Sequence, residues 1–342
     1  MSVLCNSALH RVSPSRTPVV TLELTVAGVH RRIWLKLEGH NLHGSLKDRT
    51  AETLWESVRD RVHPAEGVIE STSGNPGVAL AALCAEHGVP FTAVVDPRTS
   101  SASIEMMRRY GARVAMIHHP DFGGGYLLNR LAYVREQIRA RPGLVWTNQY
   151  KNDANPRAHR ERTAPELWGQ IQRPATVMLA VSTGGTLAGF HQFARRQRIP
   201  WTVVGVDVEG SLALADERPG KRLLPGIGSS QRSAFVLSGA TPPLVIVSAD
   251  EAVAACLWVL DVTGIALGGS SGALIAAALR WSHLNLHDET DIAVVCPDGG
   301  DRYLDTVYSA VWRRQNFVVW SSPRGVGILG VYHQSPEVNT AR

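Results

Sequence analysis

Short runs rich in β-branched residues alternate with stretches of helical periodicity along most of this chain. That alternation is the pattern of an α/β protein with mostly parallel sheets flanked by helices. Strands are expected at 32–36, 67–70, 91–95, 113–117, 176–181, 202–206 and 291–296. Helices are expected between them at 78–86, 101–110, 127–140, 187–198, 250–262 and 273–282. At 342 residues the chain is long enough for two domains, each burying a core of its own. A less regular stretch, 146–162, is the expected crossing between them. It separates a smaller N-terminal domain over 41–149 from a larger C-terminal one over 150–316. Residues 1–40 are expected to pack with the larger domain, and 317–342, past the point where the pattern fails, read as a flexible or partly packed tail.

Composition enters mainly as exclusion. Hydrophobic residues at 44% and charged residues at 19% are ordinary globular values, which sets disorder aside. The formal charge of +5 is spread among acids with no basic run, so anionic small molecules explain it as well as nucleic acid does, and no nucleic-acid partner is expected on net charge alone. No apolar stretch reaches membrane-spanning length and no signal-like segment opens the chain, so the cytoplasm is expected. Cys5, Cys84, Cys256 and Cys296 lie far apart, without metal or redox spacing, and the last three read as buried thiols. His10, His118, His119, His283 and His287 have no carboxylate or cysteine at ligand spacing, and no metal is expected.

In a parallel sheet, ligands collect where strands end and helices begin. Four such junctions carry small and polar residues. In the first, Glu38 to Thr50, loop residues Asn41, Gly44 and Ser45 precede Lys47, and Ala51, Leu54, Trp55, Val58 and Val62 follow at helical spacing. Lys47 thus sits near a helix N-terminus, where the dipole opposes positive charge and favours a neutral, nucleophilic amine. Such an amine can form a Schiff base with an aldehyde cofactor; a solvated lysine is the plainer alternative. The second junction, Ser71 to Gly77, is either an anion cradle suited to a carboxylate or a capping turn. In the third, Ser182-Thr183-Gly184-Gly185-Thr186, bare N–H groups and flanking hydroxyls suit a phosphate. No lysine follows the glycines, and the spacing misses the dinucleotide fingerprint, which sets aside nucleoside triphosphates and nicotinamide cofactors. The fourth, Gly268 to Ala273, offers a neutral serine or simply a tight turn.

A Schiff-base lysine, a carboxylate cradle, a phosphate cup and a neutral serine, in this order, are the parts pyridoxal phosphate chemistry needs. The chain resembles the β family (fold type II) of pyridoxal-phosphate enzymes, which includes cysteine synthases and cystathionine β-synthase. The resemblance runs from about Thr17 to Trp312 on GSLKDR around Lys47, STSGNPG around Asn75, STGGT from Ser182, GGSSGA from Gly268 and PDGGDRYL from Pro297. It implies that Lys47 holds the cofactor aldehyde and moves the substrate α-proton. It further implies that Asn75 bonds the cofactor's 3-hydroxyl, that Ser182, Thr183, Gly184, Gly185 and Thr186 bind its phosphate, and that Ser270 faces its ring nitrogen. Thr72, Ser73 and Gln149 match positions that hold the substrate carboxylate. Pro76 departs from the threonine common there, removing an N–H and a hydroxyl from that subsite.

Finer features resemble one branch of the family. Ser182 before the phosphate cup, Tyr150 after Gln149, the run Gly123 to Arg130, VDVEGS from Val206, PGIGSS from Pro225 and DRYLDTVYS from Asp301 are similar to N-(2-amino-2-carboxyethyl)-L-glutamate synthases of siderophore pathways. That resemblance implies β-replacement on O-phospho-L-serine by L-glutamate, through an aminoacrylate, on the way to 2,3-diaminopropionate. A phosphate leaving group asks for a guanidinium, for which Arg130 is the first candidate and Arg232 the second. Tyr150 and Ser182 could orient glutamate, or merely pack beside the cofactor. A cysteine synthase using O-acetylserine or O-phosphoserine with sulfide is the enzymatic alternative, and a binding or regulatory module without turnover the other. Family resemblance also implies a homodimer. Asp298 and Asp301 read as caps of the helix that follows, or as shaping the cofactor pocket without a catalytic role.

Overall fold

The computed structural model describes residues 16–121, 124–214, 219–235, 242–317 and 326–333. Cys5, His10 and Gly123 lie outside the described residues. In chain order the strands are β1 (Val19–Val26), β2 (Val29–Leu37), β3 (Val68–Ser71), β4 (Phe91–Val95), β5 (Arg113–Met116), β6 (Val145–Trp146), β7 (Ala175–Ala180), β8 (Trp201–Val208), β9 (Leu244–Val247), β10 (Asp291–Cys296) and β11 (Val326–His333). The helices are α1 (Lys47–Val58), α2 (Asn75–Glu86), α3 (Ser101–Arg109), α4 (Leu127–Ala140), α5 (Ala154–Ala158), α6 (Ala164–Ile171), α7 (Gly185–Gln197), α8 (Ala249–Thr263), α9 (Gly269–Leu284) and α10 (Ala310–Asn316).

Two sheets result. The larger has seven strands in the order β11-β1-β2-β10-β7-β8-β9, and the smaller four in the order β5-β4-β3-β6. Every pair in the smaller sheet is parallel, as are β2-β10, β10-β7, β7-β8 and β8-β9 in the larger. The antiparallel pairs are β1-β2 and β1-β11 at one edge. Part of the stretch expected as a tail is therefore an edge strand. Successive strand residues point to opposite faces, so the large sheet feeds two cores. Met178, Val204, Ile292 and Val294 join α8 and α9 on one face. Val177, Val203, Ala293 and Val295 join α6 and α7 on the other. The small sheet is covered likewise, by α1 and α2 on one side and α4 on the other.

Local chemistry sets the helix boundaries. Ser248 and Glu251 form a reciprocal capping box that starts α8, and Gly264 at φ +73° closes it. Pro76 falls in the first turn of α2, where its missing N–H is no loss. One buried ionic cluster ties the first helix to the larger sheet's flank. Lys36 Nζ lies 2.6 Å from Glu166 Oε1, and Arg49 joins Glu38 and Glu166 at 2.7 Å each. Among the described residues no helix is long and apolar enough to cross a membrane.

Candidate active site

The turns after β3, β7 and β10 face the first turns of α1 and α9 at the carboxyl ends of the parallel strands. A cavity of about 280 Å³ lies there, lined by Lys47, Ser73, Asn75, Gln149, Tyr150, Ser182, Thr183, Gly184, Thr186 and Ser270 among others. Four junctions far apart in sequence thus meet at one cavity. Lys47 is the first residue of α1, and its neighbour Leu46 donates to Pro297 O at 2.8 Å, docking the helix against the turn after β10. Burial pushes the Lys47 amine below the ordinary lysine range, and the charge of Asp298 opposes that shift.

The phosphate-cup residues open α7 around Gly184, whose φ of +87° is left-handed and suits glycine. No acidic residue lies in the first turn of α7, so its bare N–H groups and dipole are free to favour an anion. Asn155 sets the loop's shape. Its Nδ2 donates to Gln149 O at 2.7 Å and to Thr183 Oγ1 at 3.0 Å, and a Cβ on Gly185 would lie 2.1 Å from its Oδ1. Behind the loop, His159 Nε2 lies 3.2 Å from Thr50 Oγ1 and 3.3 Å from Thr186 Oγ1. Burial, then the charges of Lys47 and Arg49, hold His159 well below the usual imidazole range, so it is neutral. Ser270, in the first turn of α9, is buried and brings no charge to the cavity wall.

The expected carboxylate cradle divides. Ser73 and Gln149 line the cavity, while Thr72 is buried behind it, its hydroxyl accepting from Gly74 N at 3.1 Å and Gly77 N at 2.9 Å. Thr72 therefore shapes the turn that presents Ser73 and Asn75. Gln149 Nε2 donates to Ser71 O at 2.8 Å, and its backbone N–H donates to the buried Glu70 carboxylate at 3.1 Å.

A second compartment of about 300 Å³ shares Ser73, Arg98, Tyr150, Ser182 and Pro225 with the first. Its walls carry Arg98, Arg130, Lys221 and Arg222 against the single carboxylate of Asp96. Arg130 is 5% exposed; its Nε lies 3.2 Å from Asp96 Oδ2, off the line a hydrogen bond needs, and Nε and Nη1 have no hydrogen-bond partner. Burial and the neighbouring Arg98 both lower the Arg222 pKa, a strain an anion would relieve. Arg232, the second candidate, is exposed and lines neither compartment.

Sequence reasoning missed a group of buried polar residues. Asp298, for which capping was the first expectation and shaping the pocket the second, is 2% exposed and lines the cavity, accepting from Asn75 Nδ2 at 2.7 Å and Tyr303 Oη at 2.5 Å. Burial raises its pKa and these two donors oppose the rise. Arg302, Asn155, His159 and Glu70 were missed as well. The motif PDGGDRYL was the available signal for Asp298 and Arg302, since it packs three charged residues around two glycines at a strand end.

A family model described as pyridoxal-phosphate dependent enzyme matches residues 12–298. This chain is a pyridoxal-phosphate-dependent enzyme. Two relatives carry the name N-(2-amino-2-carboxyethyl)-L-glutamate synthase. One, from Cupriavidus metallidurans, is 38% identical over 318 residues, 91% of this chain and 92% of the relative. The other, from Ralstonia nicotianae, is 38% identical over 299 residues, 86% of this chain and 88% of the relative. Among solved structures, a hydrogen sulfide-producing enzyme from Fusobacterium nucleatum matches with a TM-score of 0.80 at 23% identity, covering 93% of this chain and 96% of that one, a likeness of fold. An O-acetylserine dependent cystathionine beta-synthase from Helicobacter pylori matches with a TM-score of 0.77 at 27% identity, over 86% of this chain and 96% of that one. The pyridoxal-phosphate enzyme thus has the fold type II architecture, and its cavity fits the cofactor. An amine whose pKa burial lowers, a helix N-terminus without acidic residues and an uncharged serine stand around one space.

Proposed function

We propose that this enzyme performs β-replacement on O-phospho-L-serine with L-glutamate as nucleophile, giving N-(2-amino-2-carboxyethyl)-L-glutamate and phosphate. The observation that carries the reading is the unsatisfied guanidinium of Arg130, buried in a cationic compartment that opens on the Lys47 cavity. A buried guanidinium without a full set of partners is costly, and a doubly charged phosphate supplies what it lacks. The two relatives that bear this synthase name, each covering most of the chain, support the same reading.

When bound, the cofactor supplies the electron sink that lets the α-proton and the β-substituent leave. Lys47, whose pKa burial lowers, takes the α-proton and later returns it. The Ser182 to Thr186 loop and the α7 N-terminus hold the cofactor phosphate, and Ser270 meets its ring nitrogen without imposing a charge. Ser73 and Gln149 hold the substrate carboxylate, while Arg130 receives the departing phosphate. Tyr150 and Ser182, shared by both compartments, orient the incoming amine. In this reading 41–149 closes on 150–316 around the substrate, with 1–40 packed on the larger unit and the working form a homodimer.

Mass analysis of products from purified enzyme supplied with O-phosphoserine tests the reading. The glutamate adduct is expected with glutamate, and turnover is expected to fall when O-acetylserine replaces the phosphate ester. Cysteine formed from sulfide, with no adduct from glutamate, would make the enzyme a cysteine synthase. Light scattering of the same preparation reads the dimer.

A further inference from the structure

The carboxamide of Asn75 is gripped from both sides. Its Nδ2 donates to Asp298 Oδ2 at 2.7 Å, and its Oδ1 accepts from Arg302 Nη1. A carboxylate oxygen that already receives the Tyr303 hydroxyl only accepts, and a guanidinium only donates. Turning the amide over would set N–H against N–H on one side and oxygen against oxygen on the other. An acceptor-only partner on one side and a donor-only partner on the other leave this amide a single setting. One N–H of Asn75 is then left over, on a residue that lines the cavity.

The grip also has a construction history in the sequence. A Cβ on Gly268 would lie 1.9 Å from Asp298 Oδ1, so the glycine before the serine pair makes room for that carboxylate. The second arm of Arg302 donates to His43 O, in the loop before α1, and a Cβ on Gly44 would lie 3.0 Å from that same Nη2. Three separate motifs, around Lys47, Gly268 and Pro297, therefore converge on one amide. Asn75 begins α2 on the smaller sheet, while Asp298 and Arg302 follow β10 of the larger, so the grip is complete only when both are in place.

We infer that Asp298 and Arg302 are positioning residues that fix the Asn75 amide so that it presents a hydrogen-bond donor, never an acceptor, to the 3-oxygen of the cofactor. The inference rests on the reading of this cavity as the cofactor site with Asn75 beside that oxygen. A fixed donor favours the ionised 3-oxygen, and an amide free to flip favours it less.

The test is the visible absorption of the cofactor bound to the holoenzyme, followed against pH. In Arg302→Gln and Asp298→Asn each one-way partner becomes two-way, and the ratio of the two absorbing forms is expected to shift about tenfold toward the protonated 3-oxygen, the weight of one charge-assisted hydrogen bond. Arg302→Lys keeps a donor-only partner and is expected to restore most of the ratio. Asn75→Ala is expected to shift the ratio at least as far, and adding Arg302→Gln to it should change nothing more. If Asn75→Ala leaves the absorption unmoved, the placement of Asn75 beside the 3-oxygen is wrong. If Asn75→Ala moves it but Arg302→Gln and Asp298→Asn do not, or if Arg302→Gln adds its full effect on top of Asn75→Ala, the positioning role is overturned while the site reading stands.

Discussion

Replacing Gly185 by alanine isolates what the phosphate loop owes to close packing. The added Cβ would stand 2.1, 2.4 and 2.7 Å from Oδ1, Cγ and Nδ2 of Asn155, so the whole carboxamide has to move. Asn155 is only 2% exposed and has no solvent to move into. Displacing it forfeits its bonds to Gln149 O and Thr183 Oγ1, about 1 kcal/mol each, and overpacking adds about 1 kcal/mol or more. The unliganded loop can relax by deforming, but a bound phosphate requires it undeformed, so much of this sum of about 3 kcal/mol is charged to binding. Cofactor affinity is expected to fall between about tenfold and about a hundredfold. Titration of pyridoxal phosphate into the apoenzyme, read by tryptophan fluorescence, measures it. The control is Gly169→Ala, in α6, where an added Cβ meets nothing within 4 Å and helix propensity alone predicts a gain of up to about 1 kcal/mol in stability. Adding Asn155→Ala to Gly185→Ala removes the clash and should make the pair non-additive. An affinity for Gly185→Ala within twofold of the wild type would refute the argument.

Three further outcomes follow from the same geometry. Arg130→Lys keeps a charge near Asp96 but loses the planar fork, so kcat/KM for O-phosphoserine is expected to drop about tenfold while that for O-acetylserine changes less than threefold. Burial raises the Asp207 carboxyl to about 6, and a raised acid contributes stability that is full below its unfolded value and lost as pH rises through the folded one. Asp207→Asn should therefore raise the stability by about 3 kcal/mol at pH 8 and by nothing measurable near pH 3, as read by urea unfolding at each pH. Cys84 and Cys256 are buried, with thiols pushed up to about 12, so neither should react with a thiol reagent at pH 8 until the protein unfolds.

How far the fold could be read from the chain depended on whether a segment's partners lie nearby in pattern. Strands 91–95 and 291–296 and helix 127–140 have the expected bounds, because each is a clean run of one period. β11 could not be read: its glycines weaken the strand signal, and its partner β1 lies some three hundred residues away in the chain. The stretch 146–162, expected as irregular, contains α5 and a π-helical turn over His159–Thr163. That turn carries His159 behind the phosphate loop, an inward polar residue that hydrophobic periodicity cannot flag. The same limit applied to Asn155, Glu70 and Asp298. The cavity-lining residues around Lys47, Asn75, Thr183 and Ser270 fell on recognisable junctions, whereas those that hold them in place are known only by what they touch.

The distribution of charge explains why two compartments serve better than one. In the proposed reading Lys47 collects the α-proton, which needs a neutral amine; burial lowers its pKa in that direction and the charge of Asp298 opposes the shift. A cluster of cations around that amine would lower its pKa further and weaken it as a base, while a doubly charged phosphate close to it would raise its pKa and protonate it. In the proposed reading, placing Arg130, Lys221 and Arg222 in a neighbouring compartment, with Arg98 on the wall it shares with the first, resolves the conflict, since a phosphate ester would meet most of its counter-charge away from the base. Tyr150 stands on the shared wall, where burial raises its phenol and the charge of Arg130 lowers it, so the hydroxyl stays protonated and can donate without adding a charge. An ester without the phosphate gains nothing from the second compartment. Discrimination between phosphate and acetate as leaving groups is therefore expected in the cationic compartment, and substitutions there should leave the Lys47 chemistry intact.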